Sequence, residues 1–153
     1  MLKNSSGNMR YAIVVAIALV LVAYFALTFN KPSPQIVEVK EYSLNPDTIS
    51  ANSSTTLSFT IRNNDKDKSH FVTVHFNASG MLTFWQGLEK LPTENGRQYF
   101  TKTFSPSDLT TTSLTVKASL PNQMSGGTYP IILGFFVDGS QFDSKQVNLK
   151  VQG

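Results

Sequence analysis

The sequence predicts an all-β fold, an antiparallel sandwich of about seven to eight strands that follows a single N-terminal transmembrane helix. Three observations support this prediction. Near the N-terminus lies one long apolar run without a charged residue. From Ile36 onward, several short stretches alternate apolar with polar residues, and turn-forming residues separate them. That part of the chain lacks a convincing helical period, so we expect strands throughout it.

The apolar run covers residues 11–29 and is long enough to span a bilayer. About 19 helical residues rise roughly 28 Å, which is close to a hydrocarbon core of about 30 Å. A cleaved secretory signal has a shorter apolar stretch that ends in small residues, whereas this run ends in Phe25, Leu27 and Phe29. We therefore expect an uncleaved signal anchor in the cell membrane.

The basic residues around this run predict its orientation. Lys3 and Arg10 precede the run, and Lys31 alone follows it closely. Because the more basic flank usually stays in the cytoplasm, residues 1–10 should form a short cytoplasmic tail. The chain then crosses the membrane once, and its larger domain is expected to be extracytoplasmic.

A short linker at residues 30–35 connects the anchor to the folded domain at 36–153. Pro32 and Pro34 stiffen the linker, so the domain should sit close to the bilayer. The net charge of the whole chain is +3, and two of the basic residues precede the apolar run, so the domain is nearly neutral. A nearly neutral domain lacks the clustered basic face that binding to nucleic acid requires.

Four stretches of the domain alternate clearly, as expected of strands that are buried on one side only. Their apolar residues should face the core, and the Ser, Thr, Asn, Gln, Lys and Arg residues between them should face outward. The inward residues of the four stretches are Leu57, Phe59 and Ile61; Val72, Val74 and Phe76; Leu114, Val116, Ala118 and Leu120; and Val147, Leu149 and Val151.

Other segments of the domain predict less regular structure. The parity of the apolar residues changes near residues 40–41, where a kink, a bulge or a switch of sheet is expected, and again at 143–145, where a bulge is expected. Asp-Gly-Ser at 138–140 should make a tight hairpin. Shorter strands are expected at 81–85 and 98–104.

One strand within residues 126–141 is apolar on both faces. Ile132 and Phe136 lie opposite its main apolar face, and Gly134 between them should leave a shallow notch. The connection at 86–96 could cover this second face. Alternatively the face stays exposed and forms a contact patch for a partner. The main apolar face consists of Tyr129, Ile131, Leu133, Phe135 and Val137.

The first interpretation uses Leu88 and Leu91 of that connection to cover the face. The second places Ile132 and Phe136 beside exposed aromatic residues, and the candidate residues for partner contact are then Ile132, Phe136, Phe71 and Trp85. For Trp85, the only tryptophan, packing in the core is the preferred interpretation.

The order of these features resembles a known family. The segments "NPDTISANSSTTLSFTIRNN" at 45–64, "LTVKASLPNQMSGGTYPIILGFFVDG" at 114–139 and "VNLKV" at 147–151 look like CARDB-like and related immunoglobulin-like modules of archaeal and bacterial cell-envelope proteins. The resemblance implies an immunoglobulin-like β-sandwich. It also implies a role in adhesion, in association with a surface layer or in support of other surface components, without catalytic residues.

The residue types that carry chemistry are sparse. The chain has no cysteine, which excludes disulfides, thiolate metal sites and cysteine nucleophiles. His70 and His75 are the only histidines, and their odd spacing on one strand places them on opposite faces, so they cannot chelate one ion together. They are interpreted as two polar strand residues, whose joint replacement by Gln should leave folding nearly unchanged.

Two polar motifs resemble ligand sites only in part. Asn63, Asp65 and Asp67 have the spacing that begins a calcium loop, but Val74 stands where the bidentate acid belongs, so a solvated turn is expected. The Ser-Gly-Gly at 125–127 lacks the lysine of a phosphate loop. The sequence therefore predicts no enzyme activity, no cofactor, no metal and no small-molecule substrate.

Two sequons suit an exported domain. Asn52 and Asn77 each begin an Asn-X-Ser triplet and are candidates for glycosylation. The function expected from the sequence is that of a membrane-anchored binding or structural module that contacts a protein of the cell envelope. The alternative is an accessory subunit of a larger membrane complex, whose helix packs through small residues such as Ala12 and Ala16. A metal-handling or hydrolytic domain is a remote third possibility.

Overall fold

The computed structural model of the chain describes residues 35–118 and 126–152. Within these ranges every regular element is a β-strand, and the strands form two sheets. The predicted transmembrane helix at 11–29 lies outside the described residues. In the part that is described, no helix has the length and apolar character needed to cross a membrane.

The described ranges contain eleven strands, of which eight have at least five residues, in agreement with the predicted number. In chain order they are β1 (Val37–Asn45), β2 (Thr48–Ser50), β3 (Ser54–Asn63), β4 (His70–Ala78), β5 (Leu82–Gln86), β6 (Glu89–Lys90), β7 (Thr93–Glu94), β8 (Arg97–Phe104), β9 (Leu109–Ala118), β10 (Gly127–Val137) and β11 (Ser140–Gln152).

The two sheets have five and six strands. The five-stranded sheet has the order β1-β3-β9-β5-β6, and the six-stranded sheet has the order β2-β11-β10-β4-β8-β7. Neighbouring strands run antiparallel, except for β2, which pairs parallel with the end of β11. The chain crosses repeatedly between the sheets, which is typical of a sandwich.

The core lies between the sheets and consists of the apolar faces of both. The alternation predicted from the sequence is confirmed on β3, β4, β9 and the end of β11, although Leu120 lies outside the described residues. The largest side chains that are completely buried include Phe59, Phe84, Phe104, Phe135, Leu57, Ile61, Leu114, Ile131, Leu133 and Leu149.

Aromatic contacts join the sheets, with Phe59 of β3 at the centre. Its ring makes edge contacts with the rings of Phe100 on β8 and Phe135 on β10, with centroids 5.8 and 5.9 Å apart. Toward one edge of the sandwich, Phe76 of β4 stacks on Phe84 of β5 at 4.5 Å. Because such pairs add to the free energy of burial, they strengthen the contact between the two faces.

Two amide side chains connect the sheets where the backbone does not. Gln98 of β8 reaches β5, where its Oε1 accepts from the N–H of Phe84 at 2.9 Å and its Nε2 donates to the carbonyl of Phe84 at 3.1 Å. Asn63 at the end of β3 is completely buried, and its Nδ2 donates to the carbonyl oxygens of Lys68 and Ser105 at 2.9 Å each. Each amide adds a side-chain bond to its neighbours, and the carbonyls of Phe84 and Ser105 accept from it in addition to a backbone N–H.

The predicted interruptions are confirmed with small shifts. The register of β1 slips at Lys40, between Val39 and Glu41. In β11 the extra residue is Phe142, one position before the predicted 143–145, because Phe135 pairs with Asp143 and Phe136 pairs with Gln141. The hairpin turn consists of Asp138 and Gly139, both with positive φ, as a two-residue turn between twisted strands requires.

Replacement of Phe59 by Ala should lower the free energy of unfolding by about 3–5 kcal/mol, because it leaves a cavity where both Phe100 and Phe135 lose a neighbour. Denaturant unfolding of the full-length chain measures this loss. Ser58→Ala, at the adjacent outward position, is the matched control; it removes only an exposed hydroxyl contact with Ser113 and should change stability by no more than about 1 kcal/mol. A loss at Phe59 no larger than in the control would contradict this account of the core.

Candidate partner-contact surface

The central strands of the six-stranded sheet, β4 and β10, carry no charged residue on their outer face, whereas Arg97 of β8 and Lys150 of β11 lie at the margin of the same face. On β4 the outward residues alternate with the buried ones, and on β10 they do the same. None of them is Lys, Arg, Asp or Glu, and the neighbouring outward threonines of β8 are also uncharged. These outward residues are Phe71, Thr73, His75 and Asn77 on β4; Thr128, Pro130, Ile132, Gly134 and Phe136 on β10; and Tyr99, Thr101 and Thr103 on β8.

A row of rings crosses three strands of this face. Tyr99 of β8 lies directly opposite His75 of β4, with ring centroids 5.8 Å apart. The ring of Phe136 on β10 meets the ring of His75 edge to face at 5.1 Å. All three side chains are half-buried. The row is therefore ordered by contacts between the rings themselves, while part of each ring remains open to solvent.

Gly134 explains how Phe136 reaches this row. Gly134 lies opposite His75 in the register of β4 and β10. A Cβ on Gly134 would be only 3.3 Å from Cε2 of Phe136, so the ring occupies the space that a side chain would fill. The predicted notch is thus filled from within the same strand, and the missing side chain lets Phe136 lean toward His75.

The connection at 86–96 does not cover this face. Leu88 is 97% exposed, and Leu91 is buried in the core between the sheets. Ile132 retains 36% of its surface and Phe71 retains 49%. Of the two interpretations, the described residues therefore support the exposed face. Ile132, however, lies opposite Asn77, at the other end of β4 from Phe71, so the predicted contact between Ile132 and Phe71 is wrong. We use the name outer patch for Phe71, His75, Tyr99, Ile132 and Phe136.

Trp85 does not belong to the outer patch. It lies on β5, in the other sheet, and points outward, so its predicted packing in the core is wrong. The ammonium of Lys117 lies 4.0 Å from the centroid of its ring, and the indole N–H donates to Oγ1 of Thr83 at 3.0 Å. Outward and inward residues alternate along β5, and the inward residues Leu82 and Phe84 fill the core instead of Trp85.

The two histidines lie on opposite faces, as predicted, but His70 is more than a polar strand residue. It is 8% exposed, and both of its ring nitrogens contact carboxylates. Nδ1 lies 2.7 Å from Asp138 in the β10–β11 turn, and Nε2 lies 3.1 Å from Asp65 in the loop at 64–69. Because both ring nitrogens have partners, we now expect replacement of His70 by Gln to lower stability, in contrast to replacement of His75.

These contacts change the ionisation of all three groups. The hydrogen bonds to Asp138 and then to Asp65 raise the pKa of His70 above its ordinary value, although burial opposes this. The bond from His70 and the N–H of Phe71 lower the pKa of Asp138. The N–H of Asp67, followed by the bond from His70, lowers the pKa of Asp65. The cluster therefore favours a cationic ring between two anions.

The motif that begins at Asn63 is not simply a solvated turn. Oδ1 of Asn63 accepts from the N–H of Asp65 at 3.0 Å, and Oδ1 of Asp65 accepts from the N–H groups of Asp67 and Lys68. The oxygen atoms are thus used to fold the loop. Within residues 35–118 and 126–152, no three residues of the His, Cys, Asp and Glu types are placed to hold a metal ion.

Both sequons are accessible where the structure describes them. Asn52 is exposed in the turn between β2 and β3, with a positive φ of 60°. Asn77 is exposed near the end of β4, directly opposite Ile132 of the outer patch. Their glycosylation stays a prediction.

Sequence reasoning found Ile132, Phe136 and Phe71 but missed Tyr99, His75 and the pair of carboxylates around His70. The outward position of Tyr99 could have been inferred from its alternation with Phe100, but the pairing of β8 with β4 could not. Asp138 was visible as a turn residue only. Its contact with His70 joins positions 68 residues apart, and no local pattern indicates it.

Comparisons with known proteins add information about the fold alone. No family model and no curated protein matches the sequence. A structure of native alpha-2-macroglobulin from Escherichia coli, which spans domain MG7 to the C-terminus, superposes with a TM-score of 0.50 at 20% identity. The match covers 76% of this chain and 16% of that one.

Two other structures superpose less well. The alkylpurine DNA glycosylase AlkC of Pseudomonas fluorescens gives a TM-score of 0.48 at 10% identity, over 77% of this chain and 31% of that chain. The sporulation control protein Spo0M of Bacillus subtilis gives 0.47 at 10% identity, over 78% and 51%. The chain thus spans about half of Spo0M and a smaller part of the other two.

Replacement of Gly134 by Ala should displace the ring of Phe136, because the new methyl group would stand 3.3 Å from Cε2 of that ring. The end of a flexible side chain can give way, so the cost in stability should stay below about 1 kcal/mol. NMR should detect the displacement as changed ring-current shifts of the His75 ring protons. Gly80→Ala is the control, since nothing lies within 4 Å of its added carbon. Unchanged His75 shifts in Gly134→Ala would contradict the proposed role of Gly134.

Proposed function

We propose that the chain is a membrane-anchored, extracytoplasmic module of the immunoglobulin-like, CARDB-like kind, and that it contacts another protein of the cell envelope through the outer patch. The single observation that carries this proposal is the exposed central part of the outer face of the six-stranded sheet, on β4 and β10, where no outward residue is charged. The apolar segment at 11–29 would hold the domain at the membrane, with the N-terminus in the cytoplasm.

The composition of the outer patch supports a protein partner. The centres of protein interfaces are depleted in charged residues and enriched in aromatic ones. Here three rings lie in one row, and two further apolar side chains, Phe71 and Ile132, keep 49% and 36% of their surface exposed on the same face. If a partner covered these side chains, each Å² of apolar surface removed from water would contribute about 25 cal/mol to the free energy of binding.

The ordering of the rings also favours binding. A side chain that is already held in place loses little conformational entropy when a partner covers it. Phe136 is held by Gly134 beneath it and by His75 beside it. The outer patch therefore presents a preorganised surface rather than a set of free rotamers.

The size of the face indicates what else the partner must touch. Three strands about 4.8 Å apart, each contributing about seven residues of 3.3 Å, present roughly 300–350 Å² in projection. A standard interface buries about 800 Å² on each partner. The outer patch would then be the apolar centre of the contact, and residues at its margin would complete the rim, among them the Asp138–Gly139 turn beside Phe71.

Double replacement of Ile132 and Phe136 by Ser should leave the domain folded and should weaken partner binding by at least about tenfold, because it removes the apolar centre of the contact. Gentle detergent extraction of native membranes that contain the full-length chain, followed by quantification of the co-purified protein, measures the loss. Thermal unfolding of the same samples reports whether the variant is folded.

The matched control carries Leu88→Ser and Leu109→Ser, which remove two apolar side chains that are 97% and 59% exposed away from the outer patch. It should retain the partner. A folded Ile132/Phe136 variant that retains as much partner as this control would contradict the proposed contact surface.

The proposed topology predicts that protease added to intact cells digests the domain at 36–153. The fragment that contains residues 11–29 should stay with the membrane, because the more basic flank at Lys3 and Arg10 stays inside. An epitope tag at each terminus distinguishes the two ends on a blot. Complete protection of the domain together with digestion of the N-terminal tag would show the opposite orientation.

A further inference from the structure

A three-residue cluster at one end of the six-stranded sheet joins two separate turns of the chain. His70 opens β4, Asp65 belongs to the loop at 64–69, and Asp138 belongs to the β10–β11 turn. The imidazole lies between the two carboxylates, with 10% of its side-chain surface exposed. It is the group through which the loop and the turn are connected.

The geometry requires protons on both ring nitrogens. Ionised carboxylates only accept hydrogen bonds, and a neutral imidazole has one donor and one acceptor. Nδ1 faces Asp138 at 2.7 Å and Nε2 faces Asp65 at 3.1 Å, so a neutral ring would direct one lone pair at a carboxylate oxygen. Only the imidazolium can donate to both.

A metal ion cannot take the place of the second proton. The carboxylates bind opposite nitrogens of one ring, so a cation close to one of them is far from the other. Within residues 35–118 and 126–152, no group of three His, Cys, Asp or Glu residues, this cluster included, is placed to hold a metal ion. The variable ligand of the cluster is therefore the proton.

Few other charges face the ring. On β8, the residue paired with His70 is Phe104, and the nearest lysine of that strand, Lys102, holds its ammonium 5.3 Å from the Phe104 ring centroid. Asn63, which reaches this end from β3, is neutral, and Lys66, Asp67 and Lys68 of the loop are exposed. Asp65 and Asp138 thus dominate the electrostatics around His70.

We propose that Asp65, His70 and Asp138 form a proton-operated clamp, which fixes the Asp65 side chain of the loop at 64–69 to the β10–β11 turn while His70 is charged and frees that side chain when His70 loses its proton. The loop backbone stays bonded to Asn63 and Ser107 in both states. This proposal is independent of the proposed partner and of the membrane topology. It concerns a change of local order within the folded domain.

When His70 is neutral, the contact that breaks is the one with Asp65 in the loop at 64–69, not the one with Asp138. The bond to Asp138 is the shorter one, and Asp138 is held further because its Oδ1 accepts from the N–H of Phe71 at 3.0 Å and its own N–H donates to the Phe71 carbonyl at 2.9 Å. A neutral ring therefore keeps its proton on Nδ1, toward Asp138. Its Nε2 lone pair then opposes Asp65, whose Oδ1 organises the loop through the N–H groups of Asp67 and Lys68.

The sign of the pH dependence follows from the shifted pKa values. The pKa of His70 is raised above 6.5, so the clamp is complete below the unfolded value and is lost as the pH rises through the folded one. The pKa values of both carboxylates are lowered from 3.8, so their contribution is present above that value and is lost in stronger acid. The clamp is therefore closed between the lowered pKa values of the carboxylates and the raised pKa of His70, and it opens as the pH rises above the latter.

NMR amide-exchange protection factors of the full-length chain, measured from about pH 5.5 to 8.5, test the proposal. The N–H groups of Asp67 and Lys68 should lose protection toward high pH, by up to about tenfold per pH unit once His70 titrates. The N–H of Phe71, bonded to Asp138, should keep its protection. Nitrogen-15 shifts of the His70 ring should show both nitrogens protonated while the loop is closed.

Two variants separate the clamp from a general loss of stability. In His70→Gln the Asp67 and Lys68 amides should be weakly protected at every pH, whereas His75→Gln, on the opposite face, should keep the wild-type profile. Asp65→Asn removes the negative charge that faces the lone pair of a neutral ring, so the amide protection should depend less on pH. This variant keeps the test available if His70→Gln does not fold. Protection in the wild type that is independent of pH, or that falls equally at Phe71, would overturn the proposal.

Discussion

The structure depends on the packing of two apolar sheet faces against each other, with Phe59 between Phe100 and Phe135 at the centre. Side chains alternate along a strand, so a residue committed to the core sends its neighbours outward. Burial of Ile131, Leu133 and Phe135 on β10 therefore places their neighbours on the opposite face of the sheet. The outer patch is the direct consequence of the way in which the core is filled.

The same constraint explains why much of the fold was predictable. The strands buried on one side carry their alternation in the sequence, and a change of parity can be satisfied only by a bulge. Both bulges were predicted in this way. The one in β11 lies one residue before the predicted 143–145, because Phe142 is the extra residue.

The features that were not predictable depend on which strands become neighbours. The large apolar side chain of Trp85 suggests a place in the core. The inward positions of β5 are, however, occupied by Leu82 and Phe84, so the indole lies on the outer face, under the ammonium of Lys117. The ring row requires β8 beside β4 and β4 beside β10, and the clamp requires a turn 68 residues away from His70. Local periodicity contains no information about such pairings. Even so, the phase of β10 was visible, and for this reason Ile132 and Phe136 could be named from the sequence.

The central claim is that the outer face of the six-stranded sheet is open in the isolated chain and covered by a partner in the cell. The chain has no cysteine, so a single introduced thiol can be followed without background. The decisive measurement compares the rate at which a membrane-impermeant maleimide labels Ile132→Cys in the purified full-length chain and on intact cells, with Leu88→Cys as the reference for a fully exposed site. The account predicts rapid labelling of Ile132→Cys in the purified chain and a marked slowing on cells, while Leu88→Cys is labelled rapidly in both. Equal labelling of Ile132→Cys in the two settings, relative to Leu88→Cys, would contradict it.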